Sequence, residues 1–295
     1  AIPCRETRTK HMNTSYLPET INLHFLSACE MGCTHCFAPF VDCGKLSLSD
    51  LKALILKLAQ APRTLGMPKA RRLNFVGGEP TLHPHFLELV QYAHKCGLST
   101  SIVTNGYSLI RNGIPKELKV LELVGVSIDS LDHARNRKIG RVVRQNTISE
   151  NQWYLFFGEL SQMGVSLKIN TTITQHNVNE DFTDFIRKTN PSRWKVFQAM
   201  VVRGQNCKGA EHWKVSRKEY DSFIERHLNV GSALCAEPEE LMRGSYAMIS
   251  PDGRFFDSAE GYQRYSDSIL EVGIEQAWNQ VQCDADLFLE RTRNY

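Results

Sequence analysis

The chain has 295 residues, 42% hydrophobic and 23% charged, with 35 basic against 32 acidic side chains for a net charge of +3. That is ordinary for a soluble globular protein, and the dispersed, nearly balanced charge argues against a nucleic-acid surface. No apolar run reaches the roughly 18 residues that a membrane span needs, and residues 1–18 hold no apolar signal-peptide core. Neither membrane nor nucleic acid is therefore expected as a partner. The nine cysteines are odd in number, and a chain this long buries a core without disulfide staples. A reducing, cytoplasmic setting is expected. Cys4, Cys43, Cys96, Cys207, Cys235 and Cys283 are scattered and read as small buried hydrophobes or inert thiols.

Along the chain, short β-branched or apolar runs alternate with helical patterns, as in βαβ units on a parallel sheet. The first strand covers 21–25 and leads into a cysteine-rich loop. Ser47 then offers an N-cap for a helix running through 58. A second strand, 72–76, ends at Gly77-Gly78. Pro84 opens a helix to about 95, with Gly97 just past its end. Strands three and four are expected at 101–104 and 123–128. A helix at about 150–162 closes at Gly164, strand five covers 165–173, and strand six covers 194–201 after an intervening helix. These six units predict an α/β fold, an open partial (β/α)6 barrel over 19–203. From Gly204 the pattern changes to a helix near 216–227, a hairpin around Pro251-Asp252-Gly253 and a short helix near 274–278. This second part, 204–295, is expected to be an extension covering the barrel mouth, and residues 1–18 a disordered N-terminal segment.

Cys29-Glu30-Met31-Gly32-Cys33-Thr34-His35-Cys36 is the strongest chemical signal. A cubane iron–sulfur cluster usually takes four thiolates, so three close together with no fourth nearby leave one iron open. The loop follows a strand, where barrel enzymes place their active sites. The same cysteines also admit a zinc site with a distant fourth ligand. After strand two, Gly77 and Gly78 allow close backbone approach and Glu79 can accept from an ammonium group. Thr104 and Asn105 close strand three, and Ser127 closes strand four on the same rim. Arg141 can pair with a carboxylate or phosphate. Lys168 and Asn170 lie two apart on one strand and share a face, as do Arg193 and Lys195. A lysine facing a barrel interior is costly unless it meets an anion. Arg72, Lys168 and Lys195 could together reach a polyphosphate.

The CxxxCxxC spacing resembles the signature of the radical S-adenosylmethionine superfamily, with His35 where an aromatic is usual and still able to stack on adenine. The Gly-Gly-Glu-Pro segment looks like the superfamily's site for the methionine amino group. This resemblance implies a [4Fe–4S] cluster on Cys29, Cys33 and Cys36, with His35, Gly77, Gly78, Glu79, Thr104, Asn105, Ser127 and Arg141 around S-adenosylmethionine. It also implies a low-potential electron donor such as flavodoxin or ferredoxin. Closer stretches resemble the viperin-like nucleotide dehydratases over about residues 20–290: Asn22-Leu23-His24-Phe25, Lys168-Ile169-Asn170, residues 177–181, residues 190–198 and Gly204-Gln205-Asn206-Cys207. That likeness implies a nucleoside triphosphate substrate, CTP first and UTP or GTP after it. The implied product is the 3′-deoxy-3′,4′-didehydro analogue, an antiviral chain terminator, formed by 4′-hydrogen abstraction and loss of the 3′-hydroxyl as water. It places substrate at Asn22, Arg72, Lys168, Asn170, Arg193 and Lys195, and gives Tyr246 a catalytic role in ending the substrate radical.

Departures from the family include Arg72, where animal members have lysine. Residues 1–18 do not match the membrane-tethering helix of those members, and residues 291–295 do not match their tryptophan-ended tail. A molybdopterin-precursor cyclase or a peptide-modifying enzyme would need further cysteine clusters, for which Cys207, Cys235 and Cys283 are too dispersed. An iron–sulfur sensor would leave the Gly-Gly-Glu-Pro segment and the inward lysines unexplained.

Overall fold

The computed structural model describes residues 17–40, 43–62 and 71–293. Its strands are β1 (Thr20–His24), β2 (Arg72–Val76), β3 (Ser99–Thr104), β4 (Leu123–Ser127), β5 (Ser166–Ile173), β6 (Arg193–Gln198), β7 (Leu234–Glu237), β8 (Ala247–Ile249), β9 (Arg254–Asp257) and β10 (Arg264–Ser268). All ten join one open sheet in the order β10-β9-β8-β1-β2-β3-β4-β5-β6-β7. Strands β1 to β7 run parallel, β8 pairs parallel with β1, and β9 and β10 continue the edge antiparallel.

Alternation along the strands gives the sheet two unlike faces. Ile21, Leu23, Leu73, Phe75, Ile102, Val124, Val126, Ile169, Trp194 and Val196 are buried against helices. The helix Leu48–Gln60 contributes Leu51, Leu54, Ile55 and Leu58, and Glu150–Gln162 contributes Trp153, Phe156, Phe157 and Leu160. Each such large apolar side chain gains about 1.5–3 kcal/mol on full burial. Capping boxes start both helices, Ser47 with Asp50 and Ser149 with Gln152, so their first N–H groups are not left unpaired. The opposite face is polar and carries the functional candidates in rows. Gly125, Lys168 and Arg193 stand side by side, and so do Ser127, Asn170, Lys195 and Cys235.

The partial-barrel expectation holds, and the sheet extends beyond the six strands read from the pattern. Four further strands come from residues after 204, and β8 enters beside β1. The hairpin at Pro251-Asp252-Gly253 is present as the β8–β9 turn, where Gly253 takes φ +77° and donates to the Ser250 carbonyl. Strand β6 stops at Gln198, where its pairing with β5 ends at Ile173 and with β7 at Glu237, just before Pro238. Helix Phe86–Lys95 starts two residues beyond Pro84, with His85 as its N-cap. Of the segment 1–18, residues 1–16 lie outside the described residues, and Leu17 is buried in the core. Among the described residues no helix is long and apolar enough to cross a membrane.

Candidate active site

The rim at the ends of β1 to β4 is assembled largely by backbone. Gly78 N–H donates to the Leu26 carbonyl at 2.6 Å and Glu79 N–H to the Ala28 carbonyl at 2.8 Å. A Cβ at Gly77 would lie 2.3 Å from the Leu26 oxygen, and one at Gly78 only 2.0 Å from the Ala28 oxygen. Both glycines therefore let the segment after β2 clasp the cysteine loop. The far side of that loop is held by Gly32 and Thr34, whose amides donate to the carbonyls of Gly140 and Ile139. There too a Cβ would fail, since at Gly140 it would meet the Gly32 oxygen at 2.1 Å. Asn206, from beyond the sixth strand, donates to the His35 carbonyl, and Gln263 donates to that of Phe37. Both pin the same loop from the C-terminal part of the chain.

Glu79 is buried and its carboxylate accepts four hydrogen bonds, from Thr81 N–H and hydroxyl, the Thr104 hydroxyl and Asn105 N–H. Burial pushes it above the usual carboxylate range while those donors pull the other way. The carboxylate thus welds the ends of β2 and β3 together. The Asn105 amide lies 3.8 Å from Cys29 Sγ. Asp129, at the end of β4, is buried and accepts from Arg141 Nε at 2.5 Å and Thr172 N–H at 2.8 Å. His35 Nε2 is 3.5 Å from the same carboxylate, its Nδ1 has no partner, and burial lowers its pKa. Asn105, Ser127, Asp129 and Arg141 line one narrow crevice with Met31.

The three thiols fit an iron–sulfur cluster by their chemistry. Burial pushes Cys29 up to about 11 and Cys33 up to about 12, so their thiolates need a strong positive partner. Among the described residues no three His, Cys, Asp or Glu side chains gather around one point as for a single ion. A cubane offers each thiolate its own iron, so its ligands need not share a centre.

Inside the sheet a cationic bowl forms. Lys168 and Lys195 are buried on β5 and β6, with Arg193 directly opposite Lys168 and Arg72 on β2 within electrostatic reach of it. Burial, with the charges of Lys195, Arg193 and Arg72, brings Lys168 down to about 7. Burial also lowers Lys195 to about 8, against the pull of Glu237, whose Oε1 accepts from its Nζ at 2.5 Å. Gly125 makes room, since a Cβ there would meet Lys168 Cε at 2.7 Å. Asn170 Oδ1 is buried with no partner among the described residues. On β1, Asn22 Oδ1 accepts from Asn74, whose Oδ1 accepts from the Ser101 hydroxyl. Tyr246, just ahead of β8, donates its hydroxyl to Glu237 Oε2.

Asn105, Ser127 and Arg141 share the rim crevice, and Lys168, Asn170, Arg193 and Lys195 share two rows of the sheet, whereas among the described residues Asn22 is seen only with Asn74. Sequence reasoning gave no role to Gly140 or Glu237, and it met Asp129 and Asn206 only as parts of longer motifs. Asp129 lay in view, as the one carboxylate in a small polar strand end. Glu237 gave no signal, because Leu-Cys-Ala-Glu has no clear strand pattern on its own.

The chain matches the family model described as the radical SAM superfamily over residues 23–189. A protein of Flammeovirga pacifica named S-adenosylmethionine-dependent nucleotide dehydratase is 36% identical over 283 residues, 94% of this chain and 95% of that one. Another of that name, from Lacinutrix mariniflava, is 36% identical over 92% of this chain, which spans 57% of that relative's length. The Oncorhynchus mykiss protein named S-adenosylmethionine-dependent nucleotide dehydratase RSAD2 is 34% identical over 95% of this chain and 81% of its own. Among solved structures, Streptococcus suis SuiB bound to S-adenosylmethionine superposes with TM-score 0.65 at 16% identity, covering 94% of this chain and 68% of SuiB. The enzyme anSMEcpe with bound AdoMet gives TM-score 0.64 at 14% identity, covering 93% and 83%. Both share the fold.

Proposed function

Because the chain belongs to the radical SAM superfamily and, within it, to the S-adenosylmethionine-dependent nucleotide dehydratases, we propose that it dehydrates a nucleoside triphosphate. CTP is the favoured substrate, with UTP and GTP as alternatives, and the product is the 3′-deoxy-3′,4′-didehydro nucleotide, a terminator of viral chain synthesis. The observation that carries this reading is the bowl. The buried Lys168 lies within electrostatic reach of Lys195, Arg193 and Arg72, and Lys195 is paired with the buried carboxylate of Glu237. So much buried positive charge is costly unless a polyanion neutralises it.

When bound on Cys29, Cys33 and Cys36, the [4Fe–4S] cluster, with S-adenosylmethionine beside it, supplies a 5′-deoxyadenosyl radical. The crevice of Asn105, Ser127, Asp129 and Arg141 holds the cofactor at the rim, with Gly77, Gly78, Glu79 and Thr104 keeping its walls in place and His35 close to Asp129. Lys168, Arg193 and Lys195 bind phosphate oxygens, and Asn22 and the open Asn170 Oδ1 meet the sugar or base. The sugar gives up its 4′ hydrogen atom and its 3′ hydroxyl, so one electron and one proton are needed to release water. Tyr246 supports that step, since a phenol can deliver both together. A low-potential donor of the flavodoxin or ferredoxin kind restores the electrons in a cytoplasmic setting. In domain terms, 19–203 carries cofactor and phosphate sites, and 204–295 closes over them.

The test incubates the reconstituted enzyme with S-adenosylmethionine, dithionite and each triphosphate separately, measuring 5′-deoxyadenosine and the nucleotide product. A triphosphate, CTP foremost, is expected to stimulate cleavage and lose water. Equal stimulation by the free nucleoside would overturn the assignment of the bowl.

A further inference from the structure

We propose that Glu237 is a positioning residue that fixes the Lys195 ammonium and the Tyr246 hydroxyl relative to each other across the seam of the open barrel. The proposal deepens the reading of the bowl as a phosphate site and rests on it for its functional consequence. Strand β7 is the last strand of the sheet, and β8 lies beyond β1 toward the other edge. Among the described residues no backbone ladder joins them. The Glu237 side chain, from β7, nonetheless reaches Tyr246, the residue before β8. One carboxylate oxygen takes the Tyr246 hydroxyl and the other takes Lys195 Nζ at 2.5 Å.

The seam is backed by Arg291 from the helix Ala285–Arg293. Its guanidinium lies 3.8 Å from the centre of the Tyr246 ring and 3.9 Å from Glu237 Oε1. Arg291 is in turn anchored on Ser245, donating to its hydroxyl at 3.1 Å and its carbonyl at 2.9 Å. Glu237 is 1% exposed and Lys195 6%, so water does little to screen the pair. The groups facing Lys195 from the surrounding elements are Lys168 on β5, Arg193 on its own strand, Cys235 and Glu237 on β7, Arg291 on the C-terminal helix, and the ring of Tyr246. Glu237 is the carboxylate among these cations. Burial would raise it, but Lys195 and Arg291 hold it down at about 2, so it stays charged at any working pH. A charged carboxylate with one oxygen on each partner sets the distance between a phosphate-binding cation and the hydroxyl beside the sugar. That is a geometric duty that neither partner performs alone.

The test compares full-length reconstituted enzyme with Glu237→Gln and Glu237→Asp. The first readout needs no nucleotide: acetylation of Lys195 by acetic anhydride is followed against pH by mass spectrometry. Without the carboxylate, Lys195 loses its charge more easily, so the glutamine variant should become reactive about one pH unit lower. The aspartate variant should stay near wild type. The second readout is the KM for CTP, which in the glutamine variant should rise about tenfold more at pH 8.5 than at pH 6.5. Product formed per 5′-deoxyadenosine should fall at both pH values, and the aspartate variant should recover part of it. An unmoved acetylation profile, or equal losses of cleavage and product at every pH, overturns the proposal and leaves Glu237 a fold residue. If the phosphate reading alone is wrong, wild type will bind no triphosphate while the acetylation profile still shifts.

Discussion

Glu79 on the rim accepts four hydrogen bonds, and Asp129 beside it holds Arg141 and the Thr172 amide. Asn170 on β5 of the bowl keeps a buried carbonyl oxygen with no partner among the described residues, and the neighbouring Lys168 lies among cations. Both regions carry buried polar side chains. On the rim the carboxylates of Glu79 and Asp129 are already satisfied by neighbouring residues before any ligand arrives. In the bowl Lys195, Glu237 and Tyr246 pair with one another, but Lys168 lies among like charges and the buried Asn170 Oδ1 has no partner among the described residues, which costs folding energy until something anionic fills the site. Substitutions on the rim should therefore break structure and cofactor together. In the bowl they should trade affinity against stability.

The largest effect is expected from Gly78→Ala. Its new Cβ would stand 2.0 Å from the Ala28 oxygen and 2.6 Å from that of Ser27, all rigid backbone. The clasp on the cysteine loop must open, and bound iron and S-adenosylmethionine cleavage should both fall to background. Gly32→Ala in the same loop is the matched control, because a Cβ there meets nothing within 4 Å. It should keep its iron. Equal iron content in the two variants would show that the clasp does not hold the cluster loop.

Next comes Lys168→Met in the bowl. Losing a charge-assisted hydrogen bond to phosphate costs about 1.5–3 kcal/mol, tenfold or more in triphosphate affinity. The same change removes a buried charge crowded by Lys195, Arg193 and Arg72, so stability to denaturant should rise by about 1–2 kcal/mol. Calorimetric titration and urea unfolding measure the two directions separately. A variant that loses both affinity and stability would mean that the bowl is structural and that the contrast with the rim is false.

This contrast also explains what could be read in advance. The rim motifs were visible because backbone clasps demand particular residues: only glycine fits at 77, 78 and 140, and two of those three stand in a recognisable segment. The inward rows were visible because period-two spacing puts Lys168 with Asn170 and Arg193 with Lys195 on one face. Strand β7 was not visible. It has four residues, Leu-Cys-Ala-Glu, followed by Pro238, and exists because β6 offers an edge for it to complete. Its Glu237 reads as a surface charge until Lys195 and Tyr246 are seen around it. The parallel entry of β8 beside β1 is equally a property of the assembled sheet, since a three-residue strand carries too little pattern to name its partner.

A smaller effect tests the support beneath the rim. His24 ends β1, packed edge-on against Phe40 and Phe256 at 5.1 and 5.3 Å, with its Nδ1 unpartnered. Burial lowers its pKa from 6.5 to about 3. Below pH 6.5 the unfolded chain takes up a proton that the folded protein refuses, so stability falls as the pH drops toward 3. At pH 5 the loss is about 2 kcal/mol. Urea midpoints of wild type and His24→Phe at pH 7 and pH 5 measure it, and the variant should lose less on acidification. Parallel acid losses would exclude His24 as the source.

The smallest effect is expected where rim and bowl meet solvent, at Arg72→Lys. Arg72 is on β2, 31% exposed, and donates from its guanidinium to Glu122 Oε2 at 3.0 Å, a carboxylate that is itself 55% exposed. Pairs so open to water contribute little, about 0–1 kcal/mol, and salt screens them further. Lysine keeps the charge that acts on Lys168 and gives up only the planar fork. The KM for triphosphate should therefore change by no more than about threefold, while Lys168→Met changes affinity by tenfold or more. Raising the ionic strength should shrink the Arg72 effect and leave most of the Lys168 effect, since one side chain is at the wet lip and the other is buried. If instead Arg72→Lys weakens binding as much as Lys168→Met, and salt does not relieve it, then the guanidinium reaches the phosphates directly and its planar fork, not only its charge, holds them.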